Sequence, residues 1–173
     1  SLLPVDKPRY LMGVGAPEDI FAGVARGIDI FDCALPTRVA RNGALYTRAG
    51  RIDILNAGYK EQTDPLENDC FCYTCRNFSA GYLHHLFRSG ELLSYRLATV
   101  HNLAFMSRLI KSIRSSILDS TFEKLKSDFL SVYQPTNEKT RIDQKKKWLE
   151  GIAAAKIIRE YEANEILVKN WKF

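Results

Sequence analysis

The sequence predicts an α/β protein with a metal-binding insert, on three observations. Two short apolar runs, residues 9–14 (RYLMGV) and 28–33 (IDIFDC), flank one amphipathic stretch, which is the spacing of a strand, a crossover helix and a parallel strand. Three cysteines, Cys70, Cys72 and Cys75, crowd into the pattern C-x-C-x2-C. Beyond them, apolar residues recur at helical spacing as far as Pro135. With 173 residues, 46% hydrophobic and 26% charged, the chain is long enough for one globular domain with its own core. No apolar run reaches the roughly 20 residues of a membrane span, and residues 1–20 lack the basic-then-apolar layout of a secretory signal, so a cytoplasmic address is expected.

Gly13 and Gly15 end the first strand, which is expected to be buried. Pro17 suits a first helical position, Glu18 and Asp19 suit the positive end of the helix dipole, and Ile20, Phe21 and Val24 form one apolar face. Gly27 stops this helix. Asp32, near the end of the second strand, shares with the glycine turn the carboxyl-end rim where parallel sheets collect their chemistry. Strand alternation places Asp29 with Phe31, and Asp32 on the opposite face with Ile28 and Ile30. Taken alone, Asp32 reads as a strand-end aspartate capping a nearby amide, and Met12 as core filling.

Residues 33–51 read as a solvated loop and a hairpin, with Asn42-Gly43 as the turn signal ahead of residues 45–47, and residues 51–55 (RIDIL) as the partner strand. Residues 56–69 are polar and turn-rich. Helices are then expected over residues 82–93 and about 101–118, the second presenting Leu103, Met106, Ile110, Ile113 and Ile117 to the core. A capping box of Ser120 and Glu123 opens a further helix, with Phe122, Leu125, Phe129 and Val132 on one side and Pro135 at its end. Residues 136–147 read as a Lys-rich linker, and 148–163 as an amphipathic helix with Trp148, Ile152 and Ala155 on one face.

Three thiols within six residues, with Cys33 far away, do not make a secretory disulfide framework; they suit a tetrahedral thiolate site for zinc. The fourth ligand would be His84, His85 or His101, and spacing does not choose among them. The 25 Lys and Arg against 20 Asp and Glu leave +5, too small an excess to require a nucleic-acid partner. Its distribution says more. Residues 33–51 hold four arginines, Arg38, Arg41, Arg48 and Arg51, and no carboxylate, an anion-binding surface or a solvated one. Lysines 145–147 are a second basic cluster.

The segment PRYLMGVGAPEDIFAGVARGIDIFDCALPTRVARNG, followed by DCFCYTCRNFSAGYLHH and TVHNL, resembles the tRNA-guanine transglycosylases (queuine tRNA-ribosyltransferases), most closely the bacterial type, over residues 4 to about 133. Enzymes of that family exchange the wobble guanine of certain tRNAs for a 7-deazaguanine precursor in queuosine biosynthesis, on a (β/α)8 barrel of the TIM type with an inserted zinc subdomain. The resemblance implies that this chain is the carboxyl-terminal part of such a barrel. Residues 1–55 would be the last strands, helix and hairpin, 56–102 the zinc-binding subdomain, 103–135 the following helices, and 136–173 a basic linker and helical tail without a family counterpart.

By the same resemblance Asp32, in the FDC motif, is the nucleophile, and Met12 and Gly13 line the base pocket. Gly13, Val14, Gly15, Ala16, Pro17, Glu18 and Asp19 form a tRNA-contacting loop; Thr37, Arg38, Val39, Ala40 and Arg41 read the bases around the wobble nucleotide. The bacterial pattern usually has a polar residue where Val39 stands. Cys70, Cys72, Cys75 and His101 match the ligands of a structural Zn2+, leaving His84 and His85 as helix residues beside the site and Cys33 to strand packing. The implied partners are a tRNA anticodon loop, a 7-deazaguanine base and a second copy of the chain. Such a barrel takes about 250 residues. The general base and the contacts to the base edge therefore fall outside this chain, and the isolated chain is expected to be inactive. The rival reading is a non-catalytic RNA-binding or dimerisation module that keeps the zinc fold; the intact Asp32 in its FDC context argues against it.

Overall fold

The computed structural model describes residues 3–134, within the first of the two units, residues 1–135 and 136–173, into which the chain divides. The linker, the helix expected at 148–163 and lysines 145–147 lie outside the described residues. The chain opens with the expected unit of β1 (Tyr10–Met12), α1 (Pro17–Val24) and β2 (Ile30–Asp32). The strands pair in parallel, with Tyr10 opposite Ile30, Leu11 opposite Phe31 and Met12 opposite Asp32. α1 lies close on this pair: a Cβ added at Gly23 would meet the Phe31 ring at 2.7 Å. Its Ile20 and Phe21 are buried, each burial stabilising by roughly 1.5–3 kcal/mol.

One expectation for this unit fails. β1 is exposed along its whole length, because among the described residues the parallel sheet has two strands and no further neighbour. Parallel strands are ordinarily covered on both faces, and here only the α1 side is. No closed barrel is present among the described residues.

The second correction concerns residues 33–51. What reads as a loop is a helix, α2 (Leu35–Arg41), and Asn42-Gly43 ends it instead of turning a hairpin. Gly43 takes φ +79° and its N–H returns to the Ala40 carbonyl at 3.0 Å. Helix ends and hairpins both call for a left-handed residue, so the same dipeptide signals either. The hairpin itself follows, as β3 (Ala44–Thr47) and β4 (Gly50–Asp53), antiparallel with Thr47 opposite Gly50 and a turn at Arg48-Ala49. Strand alternation on β3 divides the core. Tyr46 joins Ile20, Phe21, Val39, Phe105, Leu109 and Tyr133, while Leu45 joins Ala40, Ile54, Leu83, Leu86 and Leu97.

Four helices complete the unit: α3 (Tyr73–Asn77), α4 (Ala80–Arg88), α5 (Leu92–Leu118) and α6 (Phe122–Val132). The helix expected over 82–93 is interrupted at Gly90, with φ +72°, and Leu92 and Leu93 belong to α5, which begins well before the expected residue 101. The core face of α5 also differs from expectation. Leu103, Ile110 and Ile117 are exposed, whereas Leu97, Ala98, His101, Asn102, Phe105, Leu109 and Ile113 are buried. Ser94, His101, Asn102 and Ser116 sit on the buried face, and their polarity disguised the stripe that periodicity is read from.

The capping box does not form. Ser120 adopts φ +55° to make the tight link between α5 and α6, which removes it from the cap position, and Thr121 at that position makes no side-chain cap bond. Glu123 pairs instead with Lys126 at 3.2 Å. Phe122, Leu125 and Phe129 pack on the core as expected, but Val132 is exposed. No helix among the described residues is long and apolar enough to cross a membrane.

Candidate catalytic rim and metal centre

Asp32 stands at the carboxyl end of β2, beside Met12 by strand register. One of its oxygens, Oδ1, accepts two hydrogen bonds, from the Tyr10 hydroxyl at 2.6 Å and from the Gly13 N–H at 3.2 Å. Gly13 aims that N–H backward by adopting φ +74°, a conformation a side chain would strain. Oδ2 accepts no hydrogen bond from the described residues. The Tyr10 hydroxyl, with the Gly13 amide second, holds the Asp32 carboxyl below the usual aspartate range, and the same bond pushes the Tyr10 hydroxyl up. The pair is therefore an ionised carboxylate and a protonated phenol, with one carboxylate oxygen tethered and the other presented to solvent.

Cys33 builds the floor of this rim. Its sulfur accepts the Leu35 N–H at 3.2 Å and its thiol donates to the Gly13 carbonyl at 3.4 Å, tying the glycine turn to the start of α2. Gly15 lies against it so closely that an added Cβ would fall 2.4 Å from the Cys33 Cβ.

The second centre is closed. The Sγ atoms of Cys70, Cys72 and Cys75 and a ring nitrogen of His101 lie within 4.8 Å of one another, all four residues being buried. Cys72 is the N-cap of α3, its sulfur accepting the Cys75 N–H at 3.4 Å, so the short helix folds the second and third thiols together. His101 comes from α5, its Nδ1 at 3.3 Å from Cys75 Sγ, 3.7 Å from Cys72 Sγ and 3.8 Å from Cys70 Sγ. Its Nε2 donates to the Tyr46 carbonyl at 2.7 Å, which leaves Nδ1 as the nitrogen that faces the sulfurs. A tetrahedral zinc with Zn–S near 2.3 Å and Zn–N near 2.0–2.1 Å sets its ligand atoms at about these separations. Four protein ligands leave no open position, so the cluster suits a structural ion.

The thiols themselves point to a cation. Their hydrogen bond pulls the Cys72 thiol down to about 3 and pushes the Cys75 thiol up; burial would raise the Cys70 thiol, but contact with His101, the Cys72 N–H and Arg108 outweighs it and lowers it. Burial alone would lower the His101 value; contact with Cys70 and Cys72 outweighs it and raises the value to about 9. Metal binding must displace these protons.

A model of the queuine tRNA-ribosyltransferase family matches residues 1–135. The chain belongs to that family. A queuine tRNA-ribosyltransferase of Dehalococcoides mccartyi is 64% identical over 149 residues, 86% of this chain and 38% of the relative. Those of Dictyoglomus turgidum and Helicobacter acinonychis are 54% identical over 148 residues and 53% identical over 132 residues, covering 86% and 76% of this chain and 38% and 36% of the relatives. The chain thus spans well under half the length of these ribosyltransferases. The Dehalococcoides match, at 149 residues, exceeds the 135 of the family model. Part of the segment 136–173 therefore does have a counterpart in that ribosyltransferase, contrary to expectation.

Within this ribosyltransferase-family chain the remaining candidates fall unevenly. In the segment Thr37 to Arg41, Val39 and Ala40 are buried in the core, because α2 turns that face toward α5; Arg38 and Arg41 are exposed and Thr37 half-exposed. In the loop 13–19, Gly15 and Pro17 are buried, Gly13 and Asp19 exposed, and Glu18 Oε2 is buried without a partner among the described residues. His84 Nδ1 donates to the Ile54 carbonyl, 2.8 Å away, and His85 is exposed; both lie on α4, outside the metal cluster. Two residues escaped the sequence reading. Tyr10 holds Asp32, and its signal was a polar-tipped ring on an otherwise apolar strand. Asn102, fully buried, accepts the Tyr46 N–H at 3.0 Å and donates to the carbonyls of Pro36 and Ala44 at 3.0 and 3.1 Å; its signal was an amide on a helix face that buries apolar neighbours.

Proposed function

We propose that the whole protein is a tRNA-guanine transglycosylase in which this chain supplies the nucleophile. Asp32 Oδ2 attacks C1′ of the wobble nucleotide, a bond forms between that oxygen and C1′, and the C1′–N9 bond to guanine breaks. The leaving base takes a proton at N9 from an acid outside the described residues. A 7-deazaguanine then gives up its N9 proton to a base outside the described residues and displaces the carboxylate from the same carbon, and two displacements retain the stereochemistry. The observation that carries the reading is the asymmetry of Asp32, ionised, with Oδ1 tethered by Tyr10 and Gly13 and Oδ2 unencumbered.

Met12, 73% exposed beside Asp32, supports a base-binding role, since a thioether packs well on a flat heterocycle, and Gly13 allows close approach. Thr37, Arg38 and Arg41 on α2 and the loop 13–19 form the RNA-contacting side; arginines pair with phosphate or stack on unstacked loop bases. The exposed β1 and β2 suit two strands of a longer parallel sheet, the closing strands of a (β/α)8 barrel. Homodimerisation and the choice of a 7-deazaguanine rest on family membership. Zn2+ held by Cys70, Cys72, Cys75 and His101 would supply folding energy and no chemistry.

The test is guanine exchange by the full-length protein on a tRNA with a wobble guanine, together with trapping of a covalent RNA adduct. Asp32→Asn should abolish both, a loss on the order of 10⁴-fold or more in rate. Exchange that survives this substitution overturns the assignment, and RNA binding without any adduct in the unaltered full-length protein favours the non-catalytic module.

A further inference from the structure

The metal cluster has an outer layer of charge that holding the ion does not require. One N–H of the Arg108 guanidinium donates to Cys70 Sγ at 2.7 Å, and another donates to Glu67 Oε2 at 3.3 Å. The second oxygen of Glu67 accepts the Arg48 N–H at the β3–β4 turn, 2.6 Å away. Glu67 is largely buried, its side chain 16% exposed, and Arg108 is half-buried. Arg108 follows His101 by two helical turns on α5, so the nitrogen ligand and the guanidinium rise from one rigid element.

The chemistry of this arrangement is specific. Zinc with three thiolates and a neutral imidazole carries a net charge of −1, and a guanidinium on one sulfur cancels it. A charged N–H donor also withdraws electron density from the sulfur it touches, which lowers the nucleophilicity of that sulfur alone. The three cysteines share His101 but are otherwise unequal: among the described residues only Cys70 receives a guanidinium N–H, whereas Cys72 receives a backbone N–H.

We propose that Arg108, oriented by Glu67, is a positioning residue that shields the Cys70 thiolate from electrophiles and slows loss of the metal. The proposal rests on the cluster holding zinc, so zinc content is measured first. The zinc-loaded full-length protein is treated with N-ethylmaleimide, whose alkene carbon bonds to a thiolate sulfur while the neighbouring carbon takes a proton from water. Zinc release is followed with a chromogenic chelator, and the order of cysteine labelling by mass spectrometry.

Cys70 should be labelled last in the unaltered protein. Arg108→Met should release zinc about tenfold faster or more, the usual scale of an outer-layer loss, and move Cys70 to the front of the labelling order. Arg108→Lys, which keeps the charge without the fork, should fall between. Glu67→Gln, which retains an acceptor for the Arg48 N–H, should shift release in the same direction by less, and it serves if Arg108→Met does not fold. Equal acceleration of all three cysteines, or an unchanged Cys70, overturns the proposal with the zinc reading intact. A protein that carries no zinc overturns both.

Discussion

The rim around Asp32 and the Cys3His cluster differ in how much of each is finished. At the metal centre all four ligands are buried, and His101 is fixed on its far side by the Tyr46 carbonyl. At the rim, Asp32 and its neighbour Tyr10 are exposed and rest on a two-stranded parallel sheet. One centre is complete within the described residues; the other has one oxygen held and one presented. A structural site must exclude water and competing protons to keep its ion, whereas a catalytic carboxylate must leave an oxygen for the reacting carbon.

The comparison breaks most visibly at the metal. Cys72→Ser should drop zinc content from one ion per chain toward zero and abolish cooperative unfolding of the surrounding segment. The apparent binding energy of structural zinc in small peptides, about 10–16 kcal/mol, is available to folding only while the ion is held. A chelator that leaves the thermal transition unchanged would mean that the cluster is not what organises this region.

Next in size is Asn102→Ala. It strands the Tyr46 N–H and the carbonyls of Pro36 and Ala44 in the interior, beside the histidine ligand. Stability in urea, measured with zinc present, should fall by about 2–4 kcal/mol. A loss below about 1 kcal/mol would show that water or relaxation replaces this amide.

The smallest structural effect is expected at the rim. Tyr10→Phe should leave the unfolding transition in place and act on titration. Tyr10 is the largest cause of the lowered Asp32 value, so its removal lets that value rise, and the acid limb of exchange activity in the full-length protein should move to higher pH. The sign for stability follows from the same depression. Whatever Asp32 contributes is present above its unfolded-state pKa and is lost as pH falls through the lower folded value. A pH profile identical to that of the unaltered protein would remove Tyr10 from the rim.

Legibility followed the range of each interaction. The strand-helix-strand unit was readable because Pro17, the acidic first turn and Gly27 act on their own backbone. Asn42-Gly43 misled because a local preference for a left-handed residue does not say whether a helix or a strand precedes it. Ser120 misled because a capping box and a tight interhelical link compete for one residue, and the packing of α6 on Phe21 chose the link. On α5 the buried stripe includes His101 and Asn102, whose partners lie 55 and 56 positions away, so polarity concealed the face.

The amino-acid sequence by itself determined the crossover unit, the soft-ligand character of Cys70, Cys72 and Cys75, and the place of Asp32 at a strand end, since each depends on residue type and near neighbours. Only the tertiary structure put His101 Nδ1 on the three sulfurs, Tyr10 and Gly13 on one oxygen of Asp32, and Arg108 on Cys70. Those contacts join residues 19 to 38 positions apart, and what sets them is the burial of helix and strand faces against one another, which no local pattern encodes.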